Sequence, residues 1–253
     1  MISSTQAAEI KGKLPEVKKP TTSNLYADQK GFMLDMVKKE LVNLGFSEED
    51  IDGGGLRVTT TFTPKAMQAA QQGVMEGRPS GFSDKQLHIA VASVEPGTGA
   101  LRGFYGGQDY LKSQINWATA GGSPGSAFKP FALAAGLKDG FALKSTFEGN
   151  SPYTFPNGTD QVVNEGPGDG NDYGSAVDLI KATAESINTA FVDLTMSMEG
   201  GPQKIVDEAV AMGIPKDAPG LEPTSGVSLG SATISPVDML SFQVDQCFPL
   251  TLS

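Results

Sequence analysis

Ser126-Ala127-Phe128-Lys129 directly follows a run of small and rigid residues, Gly121-Gly122-Ser123-Pro124-Gly125. Such a run suits a loop, whereas Phe128 onward suits a helix, so the sequence calls for a helix start at this point. Pro130 agrees, since the first turn tolerates a missing N–H. Ser126 then lies at a helix N-terminus, where free backbone N–H groups and the positive dipole end favour a developing oxyanion. Lys129, three residues on, shares its face. A serine hydroxyl is a poor nucleophile until a base takes its proton, and a lysine desolvated in a cleft can be that base. The bland reading is a capping serine and a solvated lysine, because Ser-x-x-Lys arises by chance about once in a chain this long.

The neighbouring text decides between them. Ser186-Ile187-Asn188, the only Ser-x-Asn in the chain, separates two stretches that read as helix, 176–185 and 189–198. By itself it could be a plain helix break with Asn188 capping the next helix. A Ser-x-x-Lys nucleophile followed by Ser-x-Asn is, however, the pattern of penicillin-recognising serine acyltransferases. The segments 88–99 (His-Ile-Ala-Val-Ala-Ser-Val-Glu-Pro-Gly-Thr-Gly), 104–107 (Phe-Tyr-Gly-Gly), 116–119 (Asn-Trp-Ala-Thr), 125–131 and 185–191 extend the match. Together they resemble the transpeptidase domain of class A penicillin-binding proteins, over residues 26 to 242, with 55–61 similar to that family's linker before the domain.

The resemblance implies an α+β fold of the penicillin-binding-protein and β-lactamase type, an antiparallel sheet with helices on both sides. It implies a D,D-transpeptidase that cross-links peptidoglycan stem peptides ending in D-Ala-D-Ala and that is acylated by β-lactam antibiotics. The implied catalytic residues are Ser126 as nucleophile, Lys129 as its base, Ser186 as a proton relay and Asn188 as a clamp on Lys129 and the substrate amide. The backbone N–H of Ser126 would form half of the oxyanion hole. The family acts on the outer face of the membrane, anchored by a segment ahead of a glycosyltransferase domain.

The family's third motif, Lys-Thr-Gly or Lys-Ser-Gly, is not in this sequence, and Lys181-Ala182-Thr183 has the wrong order and lies within a helical stretch. Residues 229–239 still resemble the family, whereas 246–253, with the only cysteine, do not. The chain is therefore expected to be truncated at both ends, with a fold incomplete at the C-terminus and activity impaired by loss of one oxyanion donor. Such a loss typically costs about 10² to 10³ in rate.

The rest of the chain reads as 1–24, a polar connector; 25–78, a linker module of helix, strand and helix; 79–245, a partial transpeptidase domain; and 246–253, an atypical tail. Residues 31–44 have helical apolar spacing ended by Gly45, 56–63 read as a strand, and Pro64 opens the helix 65–75. Residues 87–94 and 100–105 flank Glu95-Pro-Gly-Thr-Gly99 as a hairpin with an unpaired edge. Residues 150–174, with five glycines and three prolines, show no period and read as a long loop near the cleft. A further short helix covers 205–212, and Trp117 and the phenylalanines are candidate core.

A net charge of −10 argues against nucleic acid or an anionic membrane face as a partner. One cysteine and one histidine exclude an internal disulfide and leave no ordinary zinc site, so no metal and no cofactor are expected. The first residues hold no apolar run long enough for a signal peptide or a membrane segment. Gly121-Gly-Ser-Pro-Gly125 matches the Gly-x-Ser-x-Gly elbow of α/β-hydrolases, but there the residue after the serine must donate its N–H, and Pro124 has none. His88, the only candidate base for that elbow, precedes the serine and reads as a structural residue on a strand. Asp169-Gly-Asn-Asp172 lacks the spacing and the closing Glu of a calcium loop. The alternatives to a transpeptidase are a non-catalytic interaction fragment of the wall-synthesis machinery and a serine β-lactamase or β-lactam sensor, the last disfavoured by the linker module and by the lack of a residue placed to activate a deacylating water.

Overall fold

The computed structural model describes residues 3–5, 24–155, 158 and 161–240, and the backbone of 251–252. The polar connector and the atypical tail therefore lie almost wholly outside the described residues.

Helix α1 (Asp28–Asn43) turns Phe32, Met36 and Leu41 inward, and a short α2 (Glu48–Gly53) follows. The sequence reading missed α2. Its start is set by Ser47, which accepts the Asp50 N–H while Asp50 accepts from the Ser47 N–H, a reciprocal box that satisfies two orphan donors of the first turn. Only Val58–Thr59 of the expected strand 56–63 is extended and paired, as β1, antiparallel to Thr251–Leu252 (β8). Thr63 caps α3 (Pro64–Gly77) by accepting from the Ala66 N–H, with Pro64 at the start as its sequence position requires.

The hairpin is β2 (Val91–Val94) against β3 (Leu101–Tyr105), with an irregularity in register at Ser93/Val94. It is shorter at its first strand than the pattern suggested. His88, expected on a strand, lies before β2, exposed, with its ring 4.0 Å from that of Trp117 in a stacked pair. Trp117 itself is half-buried at the start of the short α4 (Trp117–Ala120) and not a core residue. Among the described residues β2 and β3 pair only with each other.

A 3-10 turn (Gly125–Phe128) runs into α5 (Lys129–Lys138). Beyond it, β4 (Thr146–Phe147) pairs antiparallel with β7 (Val177–Asp178), and β5 (Tyr153–Thr154) with β6 (Gln161–Val162). The stretch 150–174 thus contains a small hairpin that its glycines and prolines hid. Asp178 caps α6 (Leu179–Ala184) through the Lys181 N–H, so the helix starts later than the expected 176. Then follow α7 (Asn188–Ser197), α8 (Gly201–Ala211) and α9 (Pro236–Leu240).

Two packing centres position the site. The first joins α1 to the hairpin through Phe32, Met36, Leu101 and Phe104. The second is the helical half, where Phe128 and Phe131 of the segment that follows Ser126 pack with Leu179, Ile187, Phe191, Leu194 and Ile205. Burying each such side chain fully is worth about 1.5–3 kcal/mol. Helix α7 hides Thr189, Ala190, Phe191, Val192, Leu194 and Thr195, so it is apolar around most of its girth and lies inside the packed half. Its first residue is Asn188, and its rigid burial fixes where that side chain begins.

Candidate active site

The turn that carries Ser126 is held from behind by a second strand-like segment. Gly122 exchanges backbone hydrogen bonds with Ile234 at 3.1 and 2.9 Å, and the Ser123 hydroxyl donates to the Gly230 carbonyl at 2.7 Å. Gly230 adopts φ +79°, and a Cβ there would collide with the backbone of Gly125. Glycine is required on both counts. Ser126 is exposed at the mouth of the turn, while Lys129, the first residue of α5, is only 3% exposed.

Lys129 is the centre of the constellation. Its Nζ lies 3.0 Å from Ser126 Oγ, 2.7 Å from the Ser186 carbonyl, 2.9 Å from Ser186 Oγ and 2.7 Å from Asn188 Oδ1, with the Phe191 ring centroid at 5.6 Å. All four sequence candidates therefore meet at one nitrogen. Burial pushes the Lys129 ammonium down from its usual 10.5 to about 8, and the Glu165 carboxylate works in the opposite direction. An ammonium has three N–H donors and four oxygens surround it, so one contact is left over. The two carbonyl oxygens can only accept, which leaves the hydroxyls as the groups that can give a proton to the nitrogen once it is neutral.

Ser186 occupies the left-handed region at φ +54°, uncommon for a residue other than glycine. This conformation brings its carbonyl and its hydroxyl to the same side, both against Lys129. Asn188 does not cap α7; Ile187 holds the cap position without a side-chain bond, and Asn188 is the first helical residue. Its Nδ2 donates to the Val163 carbonyl at 2.9 Å, just past β6.

A hydroxyl one hydrogen bond from a buried amine, with a second hydroxyl and an amide on the same amine, is an arrangement that suits serine acyl transfer. The comparisons with known proteins point the same way. Residues 89–243 match the family model described as the penicillin-binding protein transpeptidase domain. The chain belongs to this family, as the transpeptidase domain of a class A penicillin-binding protein.

Among its relatives, penicillin-binding protein 1A of Mycobacterium tuberculosis is 32% identical over 83% of this chain and 26% of the relative. Penicillin-binding protein 1B of Escherichia coli is 27% identical over 83% of this chain and 25% of its own length. The solved structure of the penicillin-binding protein PonA1 from M. tuberculosis superposes with a TM-score of 0.73 at 30% identity, covering 83% of this chain and 55% of that one. A complex of PonA1 with penicillin V gives 0.70 at 29% identity, over 82% and 56% of the two chains. The chain thus spans about a quarter of the length of these curated relatives. Its α+β architecture is that of the penicillin-binding-protein fold. No helix among the described residues is long and apolar enough to cross a membrane.

Sequence reasoning missed Asn164 and Glu165, which the structure brings beside the site. A single Asn-Glu pair in a glycine-rich stretch carries no local signal; only its partners reveal it.

Proposed function

We propose that this chain is a penicillin-binding serine acyltransferase domain whose substrate is a peptidoglycan stem peptide ending in D-Ala-D-Ala, on the outer face of the membrane. The observation that carries this reading is Lys129, buried and lowered to about 8, with its nitrogen 3.0 Å from Ser126 Oγ.

Ser126 Oγ attacks the carbonyl between the two D-alanines as its proton passes to Lys129 Nζ. The tetrahedral oxyanion forms next to the Ser126 N–H at the start of the 3-10 turn. When the C–N bond breaks, the proton returns through the Ser186 hydroxyl, 2.9 Å from Nζ, to the departing amine of D-alanine. The remaining peptidyl ester is attacked by the amine of a neighbouring stem, whose proton leaves by the same relay and restores the Ser126 hydroxyl. Asn188 has two amide hydrogens; one is committed to Val163, and the other is free in number to meet a substrate carbonyl. A β-lactam enters as a cyclic amide, and its ring carbonyl becomes the ester on Ser126. These residues contain no Lys-Thr-Gly triplet to supply the second oxyanion donor, so peptide turnover by the 253 residues alone is slow, and the strained β-lactam is the more sensitive probe.

Intact-mass measurement after incubation with penicillin V tests this directly. A stoichiometric adduct equal to one whole penicillin, absent in Ser126→Ala, is the expected result. Folded protein that takes up no penicillin would overturn the catalytic reading in favour of a non-catalytic interaction fragment.

A further inference from the structure

Asn164 is 4% exposed, yet it is polar and lies in the glycine-rich stretch 150–174. Its side chain is engaged three times: Nδ2 donates to the Gly149 carbonyl at 3.0 Å and to the Asn171 carbonyl at 2.9 Å, and Oδ1 accepts the Thr189 N–H at 3.1 Å. Its own N–H donates to Ser151 Oγ at 3.0 Å. One side chain thus ties the turn after β4, the loop before β7 and the first turn of α7. Gly170, at φ +86°, lies so close to the Asn164 carbonyl that any Cβ would displace it.

The rung beside it reaches the chemistry. Val163 and Asn164 are consecutive, as are Asn188 and Thr189, and they bond pairwise: Asn188 Nδ2 to the Val163 carbonyl at 2.9 Å, and Thr189 N–H to Asn164 Oδ1 at 3.1 Å. A carbonyl only accepts, so the NH2 of Asn188 must face Val163, and its Oδ1 must then face Lys129 Nζ, at 2.7 Å. Reversing the amide would set NH2 against the amine and oxygen against oxygen. The polarity of Asn188 is therefore dictated by a backbone carbonyl, and the place of that carbonyl by the buried side chain next to it.

We propose that Asn164 is a positioning residue of the acyl-transfer site, clamping β6 onto the start of α7 so that the Val163 carbonyl orients Asn188 toward Lys129. This deepens the transpeptidase reading and, for its effect on rate, rests on it. The same clamp holds the segment that carries Glu165, the one charged side chain among the described residues that acts on the Lys129 amine. Ser126, Ser186, Asn188 and Phe191, which face Lys129 from the other elements, carry no charge.

The test compares wild type, Asn164→Ala and Gly170→Ala in three measurements: thermal midpoint, a side-chain 13C NMR titration of Lys129 assigned with Lys129→Arg, and the rate of acylation by penicillin V. Loosening the clamp admits water to Lys129, and since burial is the larger influence on that amine its titration midpoint rises. A rise of about one unit lowers the neutral fraction, and with it the acylation rate at pH 7, about tenfold. A folded Asn164→Ala that loses thermal stability but keeps the wild-type Lys129 midpoint and rate would overturn the proposal, leaving Asn164 a structural residue only. If Asn164→Ala does not fold, Gly170→Ala, whose Cβ would collide with the Asn164 backbone and so shift the clamp, decides by the same two readouts. If folded wild type takes up no penicillin, the transpeptidase reading falls, while the Lys129 titration still decides whether Asn164 positions the site.

Discussion

Replacing Glu165 with Gln should make Ser126 react faster near neutral pH, although it removes a charge from the edge of the site. Lys129 acts as base only when neutral. With a midpoint of about 8, roughly one molecule in eleven carries the neutral amine at pH 7, against about one in three thousand for an ordinary lysine at 10.5. The net gain is about 300-fold in available base; burial supplies more than that, and Glu165, by favouring the ammonium, has taken part of it back. Removing the carboxylate lowers the midpoint; a fall of about half a unit raises the neutral fraction at pH 7 about 2.5-fold and leaves the high-pH plateau unchanged. The assay is the second-order rate constant for acylation by penicillin V between pH 6 and 9.5, followed by intact mass. Wild type should rise nearly tenfold per unit at the acid end, bend near pH 8 and level off, with the variant's curve displaced to lower pH. A wild-type profile that is flat, or that still climbs about tenfold per unit up to pH 9.5, would refute Lys129 as the base; a variant curve displaced to higher pH would refute the role of Glu165.

Three other outcomes follow from the packing and the linkage. Gly230→Ala places a Cβ against the Gly125 backbone from a left-handed conformation, so it should lower stability by about 1–3 kcal/mol in chemical denaturation and slow acylation by displacing the Ser126 turn. Phe191→Ala removes a fully buried ring beneath Lys129 and should cost about 3–5 kcal/mol, read from the same denaturation curves. The Lys129 midpoint is lower folded than unfolded, so between about pH 8 and 10.5 the unfolded chain binds more protons, and stability from this group rises with pH, by up to roughly 3 kcal/mol. The rise should appear in wild type and be missing in Lys129→Met; a wild-type stability that falls over this window relative to the variant would contradict the burial argument.

The Ser126–Lys129 segment was legible because its signals are local: a glycine-proline run, a helix start and a three-residue spacing are all written within ten residues. The same holds for the hairpin around Glu95-Pro-Gly-Thr-Gly99 and for the helices that carry apolar period. What stayed hidden was set by distant partners. Strands β5 and β6 are two residues each, too short for any periodicity, and hold together because Asn164 and Ser151 bind across the loop. His88 looked like a strand residue because its neighbours alternate, yet the pairing begins at Val91, and the imidazole rests on Trp117 instead. The convergence of Ser186 and Asn188 on Lys129 could be anticipated from the family likeness, but not that one residue would offer both its carbonyl and its hydroxyl.

That double offer restricts what evolution or an engineer can place at position 186. A threonine would preserve the hydroxyl chemistry, but its branched Cβ is ill suited to φ +54°, so the exchange that looks mildest on chemical grounds is hostile to the backbone. Glycine would accept the backbone and forfeit the hydroxyl. Asparagine or aspartate would tolerate the conformation yet enlarge the side chain against a crowded amine. If Ser186 relays the proton as proposed, serine alone reconciles the two demands, which makes this position a sharp filter on sequence drift: its identity is policed by the main chain and by the proposed proton path at once.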